Sequence, residues 1–320
     1  MFSVIRGRIL PAVLILAIFA LATGFSPPHK FSSRQPTLQV NEAPRNSEGI
    51  LLLAHGGKPD WDAAVEVVAQ ELRTQTPTEV AFGMADRSAI QRAIDLLSDQ
   101  GVTSVVAVPL FISSYSVVIT STEYLLGLRE TAPPELQMLA RMVHSMAAHP
   151  TDHHEAALGT KPVDGHLPIR MVPAFDHHAI IGDILRDRAE DMSQSPEKEA
   201  VILVAHGPND SEANVKWLAN MAILGQHIEP SGFQRVEYMT VRDDADASVQ
   251  AQATAELRHR ITLARAQGLV PLVVPHVLSY GGIEQGIHKR LAGLEYRMAS
   301  SGLLPDPRIV AWVEAVVSGQ

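Results

Sequence analysis

Two imidazoles are singled out by their positions. His55 closes the run Ile50-Leu-Leu-Leu-Ala54, His206 closes Val201-Ile-Leu-Val-Ala205, and each is followed by a glycine. An unbroken apolar run of this kind reads as a parallel strand buried on both faces. The residue just past its carboxyl end lies where open α/β sheets gather their ligands. A neutral imidazole there can ligate a metal ion or accept a proton. Cysteine is absent, so thiolate sites, disulfides and Cys nucleophiles are excluded, and His, Asp and Glu remain as the strong donors. Imidazole with carboxylate suits iron, cobalt, nickel or zinc.

The elements that would position these groups repeat. In the first half, strand Ile50–Ala54 leads to an amphipathic helix Trp61–Arg73, then strand Glu79–Met84 and helix Ser88–Gln100. Gly101 ends that helix, and Val102–Phe111 is a third apolar strand. A helix-like stretch, Val118–Arg129, precedes Pro133-Pro134, and strand Ile169–Phe175 with helix His178–Met192 completes the unit. The second half repeats the order with strand Ala200–Ala205, helix Ser211–Leu224, strand Arg235–Val241, helix Val249–Gln267 and strand Leu269–Pro275. Strands alternating with long helices predict βαβ units. The expected fold is therefore α/β: two tandem doubly wound parallel-sheet domains related by internal duplication, spanning 48–195 and 199–320.

Composition narrows the partners. With 46% hydrophobic and 19% charged residues in 320, the chain can build two cores. A net charge of −9 argues against a nucleic-acid partner. Residues 1–25 read as an export signal, with Arg6 and Arg8 ahead of the apolar stretch Ile9–Ala22 and a small-residue site at Ala20-Leu21-Ala22. Exported, extracytoplasmic placement follows, with residues 9–25 as a membrane anchor if cleavage does not occur. Residues 26–47, rich in proline, read as a disordered leader. Seven of the 14 histidines fall between His144 and His178, most of them in an irregular insertion over 143–167. Such a tract can collect divalent metal.

Taken in order, these segments resemble the class II tetrapyrrole chelatases, the cobalt- and iron-inserting sirohydrochlorin chelatases, in their fused two-domain form. The carriers are the strand-His-Gly openings at His55 and His206, Val80-Ala-Phe-Gly-Met-Ala-Asp86 before a helix, Val108-Pro-Leu-Phe111, and Pro173-Ala-Phe-Asp-His-His-Ala179. The resemblance runs from Gly49 to about Val317. It implies two chelatase-like sheets facing across a cleft, and insertion of Co²⁺ or Fe²⁺ as substrate into a tetrapyrrole without ATP. His55 and His206 then serve as metal ligand and proton acceptor. The family's second His, past the Pro of the third strand, is replaced by Val117 in the first half and Ile283 in the second. His276 and Glu284 are the substitute ligands near that point, with Glu123 the nearest acid in the first half.

Other residues carry weaker expectations. Ser114-Tyr115 and Ser279-Tyr280 are candidates to touch substrate, Arg87 and Arg242 to meet its carboxylates, and Asp176 to cap the helix after His177 and His178. Two fused domains supply what a homodimer otherwise would, so a monomer is expected. The competing function is a metal or tetrapyrrole carrier that keeps the fold without turnover. A histidine phosphatase also places His-Gly after a strand, but it needs Arg before the His, where this chain has Ala54 and Ala205.

Overall fold

The computed structural model describes residues 47–146, 159–165 and 167–319. The expected export signal lies outside them, as do all of the leader but Ser47 and His149, His153, His154 and His166 of the insertion. Two four-stranded, wholly parallel sheets form the frame. The first is built from β1 (Glu48–Ala54), β2 (Thr78–Phe82), β3 (Ser104–Pro109) and β4 (Ile169–Met171), in the order β2-β1-β3-β4. The second is built from β5 (Glu199–Ala205), β6 (Arg235–Thr240), β7 (Val270–His276) and β8 (Arg297–Met298), in the matching order β6-β5-β7-β8. The middles of the central strands are apolar because helices cover both of their faces; Leu51, Leu52, Val201, Ile202 and Leu203 are fully buried.

Helices α1 (Pro59–Arg73), α2 (Arg87–Asp99), α3 (Val117–Leu125) and α4 (Leu136–Met146) belong to the first half, followed by α5 (Ala179–Glu190). The second half adds α6 (Ser211–Gln226), α7 (Ala247–Ala266), α8 (Ile283–Arg290) and α9 (Arg308–Ser318). Local chemistry sets their starts. Pro59 opens α1, and the Asp86 carboxylate accepts from the Ser88 and Ala89 amides at the head of α2. Asp210 does the same for α6 through the Ala213 amide. Among the described residues no helix is long and apolar enough to cross a membrane.

Three elements differ from the reading of the sequence. Strand β4 stops at Met171, short of Phe175. Helix α3 stops at Leu125. Leu136–Met146, partly assigned to the irregular insertion, is a helix that buries Leu136 and Leu139. Pro133-Pro134 therefore precedes a helix start, where proline's missing N–H does no harm.

The lobes exchange their last helices. α5 follows the first sheet in sequence but packs against α6 and β7 of the second, while α9 packs back on α1 and β3 of the first. Phe175 meets Trp312 of α9 with ring centres 4.4 Å apart, and one apolar cluster runs from Ile50 and Leu52 through Val201 and Leu203 to Trp312. Arg188 of α5 also reaches the Gly302 carbonyl (3.0 Å) and Asp306 (3.3 Å). The shared core holds the sheets' carboxyl ends about one space.

Candidate functional site

That space is a cavity of about 1020 Å³. The segments following β1, β3, β5 and β7 form most of its wall, with Met84 from beyond β2 and Asp244 from beyond β6. Parallel strands bring every carboxyl end to one rim, so residues more than 200 positions apart meet there. Trp61 from the first lobe stands close enough to Gly281 of the second that a Cβ there would sit 3.2 Å from its ring. Trp217 donates its indole N–H to the Tyr115 carbonyl at 2.8 Å.

His55, His206 and His276 all line this cavity. His55 is exposed, with Nδ1 2.6 Å from the Gly56 carbonyl and its ring edge-on to Trp61. His206 is half-buried, with Nε2 3.3 Å from Oδ2 of Asp244. His276 is only 1% exposed, and neither ring nitrogen has a hydrogen-bond partner among the described residues. Burial pushes its pKa down to about 4, so the imidazole is uncharged near neutral pH. Glu284 is placed differently. Its Oε2 accepts from the Gly281 (3.1 Å) and Gly282 (2.9 Å) amides, shaping the turn that opens α8. Among the described residues no three His, Asp or Glu side chains gather into a group able to hold a metal ion together. Val117 and Ile283, at the positions of the absent second His, both stand on the wall.

The hydroxyl pairs separate. Ser114 faces the cavity, donates to Oδ2 of Asp176 (2.6 Å) and accepts from the Ala174 amide (2.9 Å). Asp176, held at φ +45°, also accepts from the Ser114 amide and from Asn220 of α6, tying the two lobes beneath the cavity. The expected cap role falls instead to His178, which accepts from the Ile180 amide; its burial, with His177 beside it, lowers its pKa. Ser279 lines the cavity, whereas the Tyr280 hydroxyl donates to the Ala299 carbonyl, and burial raises that phenol to about 12.

Neither predicted arginine reaches the wall. Arg87 bonds Asp164 and the Pro162 carbonyl, and Arg242 bonds the carbonyls of Pro208 and Asn209. The cations that do line it are Lys58, Arg129 and Lys216, the last sitting 4.8 Å above the Tyr115 ring. Sequence reasoning missed these three and Asp244. Asp244 had a signal, a carboxylate just past the second strand of its lobe; which exposed lysine turns inward has none.

Residues 49–192 match the CbiX family model. Over that first lobe the chain is similar to the CbiX family. No curated protein sequence matches it. A likeness of fold extends over both lobes: SirB from Bacillus subtilis, solved with Fe³⁺, superposes with a TM-score of 0.54 at 15% identity, covering 86% of this chain and 98% of that one. At that identity the likeness is one of fold. DR2241 from Deinococcus radiodurans, a multi-domain protein with structural similarity to chelatases, gives a TM-score of 0.49 at 16% identity, over 86% of this chain and 55% of its own.

Proposed function

We propose that this protein inserts Co²⁺ or Fe²⁺ into a sirohydrochlorin-type tetrapyrrole without nucleotide. The observation that carries the reading is one cavity of about 1020 Å³, at the carboxyl ends of both sheets, whose wall holds an imidazole from each lobe. That volume suits a flat macrocycle at the upper end of ordinary ligand sites. Metal entry displaces two pyrrole N–H protons, and the imidazoles of His55 and His206 on the cavity wall are the bases placed to take them up. A site with few protein ligands leaves room for water and for the macrocycle nitrogens to displace it, as delivery rather than storage requires. Lys58, Arg129 and Lys216 are placed to meet substrate carboxylates. Residues 1–25 direct the chain out of the cytoplasm in this reading, or anchor it if they are retained. Both lobes of one chain supply the cavity wall, which fits a monomer.

The test is metal insertion into sirohydrochlorin with Co²⁺, followed by the macrocycle's absorbance. Many equivalents of product per protein, lost in the double variant His55→Ala/His206→Ala, support the enzyme. A second reading, a carrier, is favoured by Val117 and Ile283 standing where the second ligand belongs. Stoichiometric macrocycle binding without insertion would establish it and overturn the first.

A further inference from the structure

The cavity wall is short of positive charge. Lys58, Arg129 and Lys216 line it, but so do the carboxylates of Glu135, Asp210, Glu212 and Asp244. The cations are not equally free. Arg129 donates to the Thr131 carbonyl (3.1 Å), and its guanidinium lies 4.0 Å from the Glu123 carboxylate. Lys58 and Lys216, one from each lobe, have no acidic partner among the described residues, and Lys216 is steadied over the Tyr115 ring. The carboxylates differ too. Asp210 is spent on the Ala213 amide (2.7 Å), and Asp244 lies beside His206 (3.3 Å). Glu135 and Glu212 have no such partner among the described residues, so they meet an occupant with their charge bare. Elsewhere the wall is apolar, with Trp61, Phe111, Trp217 and Leu278 among its members.

We propose that the cavity selects tetrapyrroles with few free carboxylates, and that Glu135 and Glu212 set this preference by repelling the octacarboxylate form. The proposal rests on the chelatase reading and narrows the macrocycle within it: a ring of the sirohydrochlorin frame fits best once most of its carboxylates are lost or amidated. Two free ammonium groups and one partly occupied guanidinium can pair with about three carboxylates at charge-assisted distance. Each further carboxylate is brought into a cleft that already holds four, in a chain whose net charge is −9. Low-dielectric walls focus such repulsion, and like charges set face to face discriminate strongly between ligands. A ring with few carboxylates avoids it, placing those few on the lysines and its apolar face on the tryptophan-lined wall. Arg87 and Arg242, the side chains that could have added bidentate partners, are bound elsewhere.

The experiment is equilibrium binding of two metal-free porphyrins to the full chain, followed by porphyrin fluorescence at low salt. Uroporphyrin, an octacarboxylate, and coproporphyrin, a tetracarboxylate, share one ring and differ in their acetate groups. Coproporphyrin is expected to bind roughly tenfold tighter or more. That gap should narrow several-fold in Glu135→Gln/Glu212→Gln, and again when salt is raised to screen the wall. Glu212 is exposed and Glu135 half-buried, so the double variant is expected to fold, and circular dichroism checks this. Lys58→Ala/Lys216→Ala should weaken coproporphyrin by about tenfold. Uroporphyrin binding as tightly as coproporphyrin overturns the proposal. So does a gap unchanged by Glu135→Gln/Glu212→Gln, since apolarity alone would then set the preference, and so does coproporphyrin binding indifferent to the loss of both lysines. If the charge-dependent gap is found but wild type metallates no macrocycle, the chelatase reading fails and the selectivity stands as a carrier's. If sirohydrochlorin is metallated with turnover while uroporphyrin and coproporphyrin bind alike, the selectivity fails alone.

Discussion

Replacing His276 by leucine should change the pH dependence of stability in a way that can be worked from the fold. The imidazole is 1% exposed, without a hydrogen-bond partner among the described residues, and held neutral with a pKa of about 4 against an ordinary 6.5. Because the folded value is depressed, the unfolded chain binds the extra proton as pH falls, and stability is lost between the two values. The whole span is worth about 3 kcal/mol, and moving from pH 7.5 to pH 5 accounts for about 2 kcal/mol of it. Leucine is the natural replacement, since Leu110 fills the equivalent place in the first lobe at 1% exposure. It cannot titrate and has no unmet hydrogen bonds. Urea unfolding of wild type and His276→Leu at both pH values measures the effect, and the other histidines cancel in the difference. Wild type should lose about 2 kcal/mol more than the variant. Parallel losses in the two proteins would refute the reasoning, because they would mean that His276 is already solvated or bonded in the folded state.

Two further outcomes follow from buried contacts. Burial alone would raise the pKa of Glu199, which is 1% exposed, but bonds from Ser193 and from the Gln194 and Ser195 backbone, with Arg297 nearby, hold it below the usual carboxylate value. Removing the cation in Arg297→Ala should cost about 1–2 kcal/mol in urea unfolding at pH 7, since Arg297 is partly exposed and the Ser193, Gln194 and Ser195 bonds remain. That loss should shrink as pH falls through the folded pKa of Glu199, and a loss that stays constant on acidification would show that the charge pair is not its source. Gly207 sits at φ +78°, and a Cβ there would lie 2.4 Å from Thr240 Cβ, so Gly207→Ala should lower stability by about 2 kcal/mol or more. A thermal midpoint equal to that of wild type would show that the β5–β6 corner beside His206 is looser than described.

The frame was legible because its signals are local. Two buried parallel strands ending in His-Gly, followed by helices with apolar residues at helical spacing, place both sheets and predict α2 with its buried Ala89, Ile90, Ala93, Ile94 and Leu97. Leu136–Met146 was harder to read, since two prolines and a crowd of histidines around it resemble a loop in composition.

From the sequence alone came the duplication, the parallel order and the positions of His55, His206 and His276 at strand ends, because strand period and buried runs are properties of neighbouring residues. Only the tertiary structure decided that α5 and α9 change lobes and that Arg87 and Arg242 turn away while Lys58 and Lys216 face inward. It also decided that Asp244 meets His206 and that Glu284 is occupied by its own turn. Those outcomes depend on distances between segments far apart in the chain, set when the shared core around Trp312 closes and the carboxyl ends of both sheets are brought to one rim.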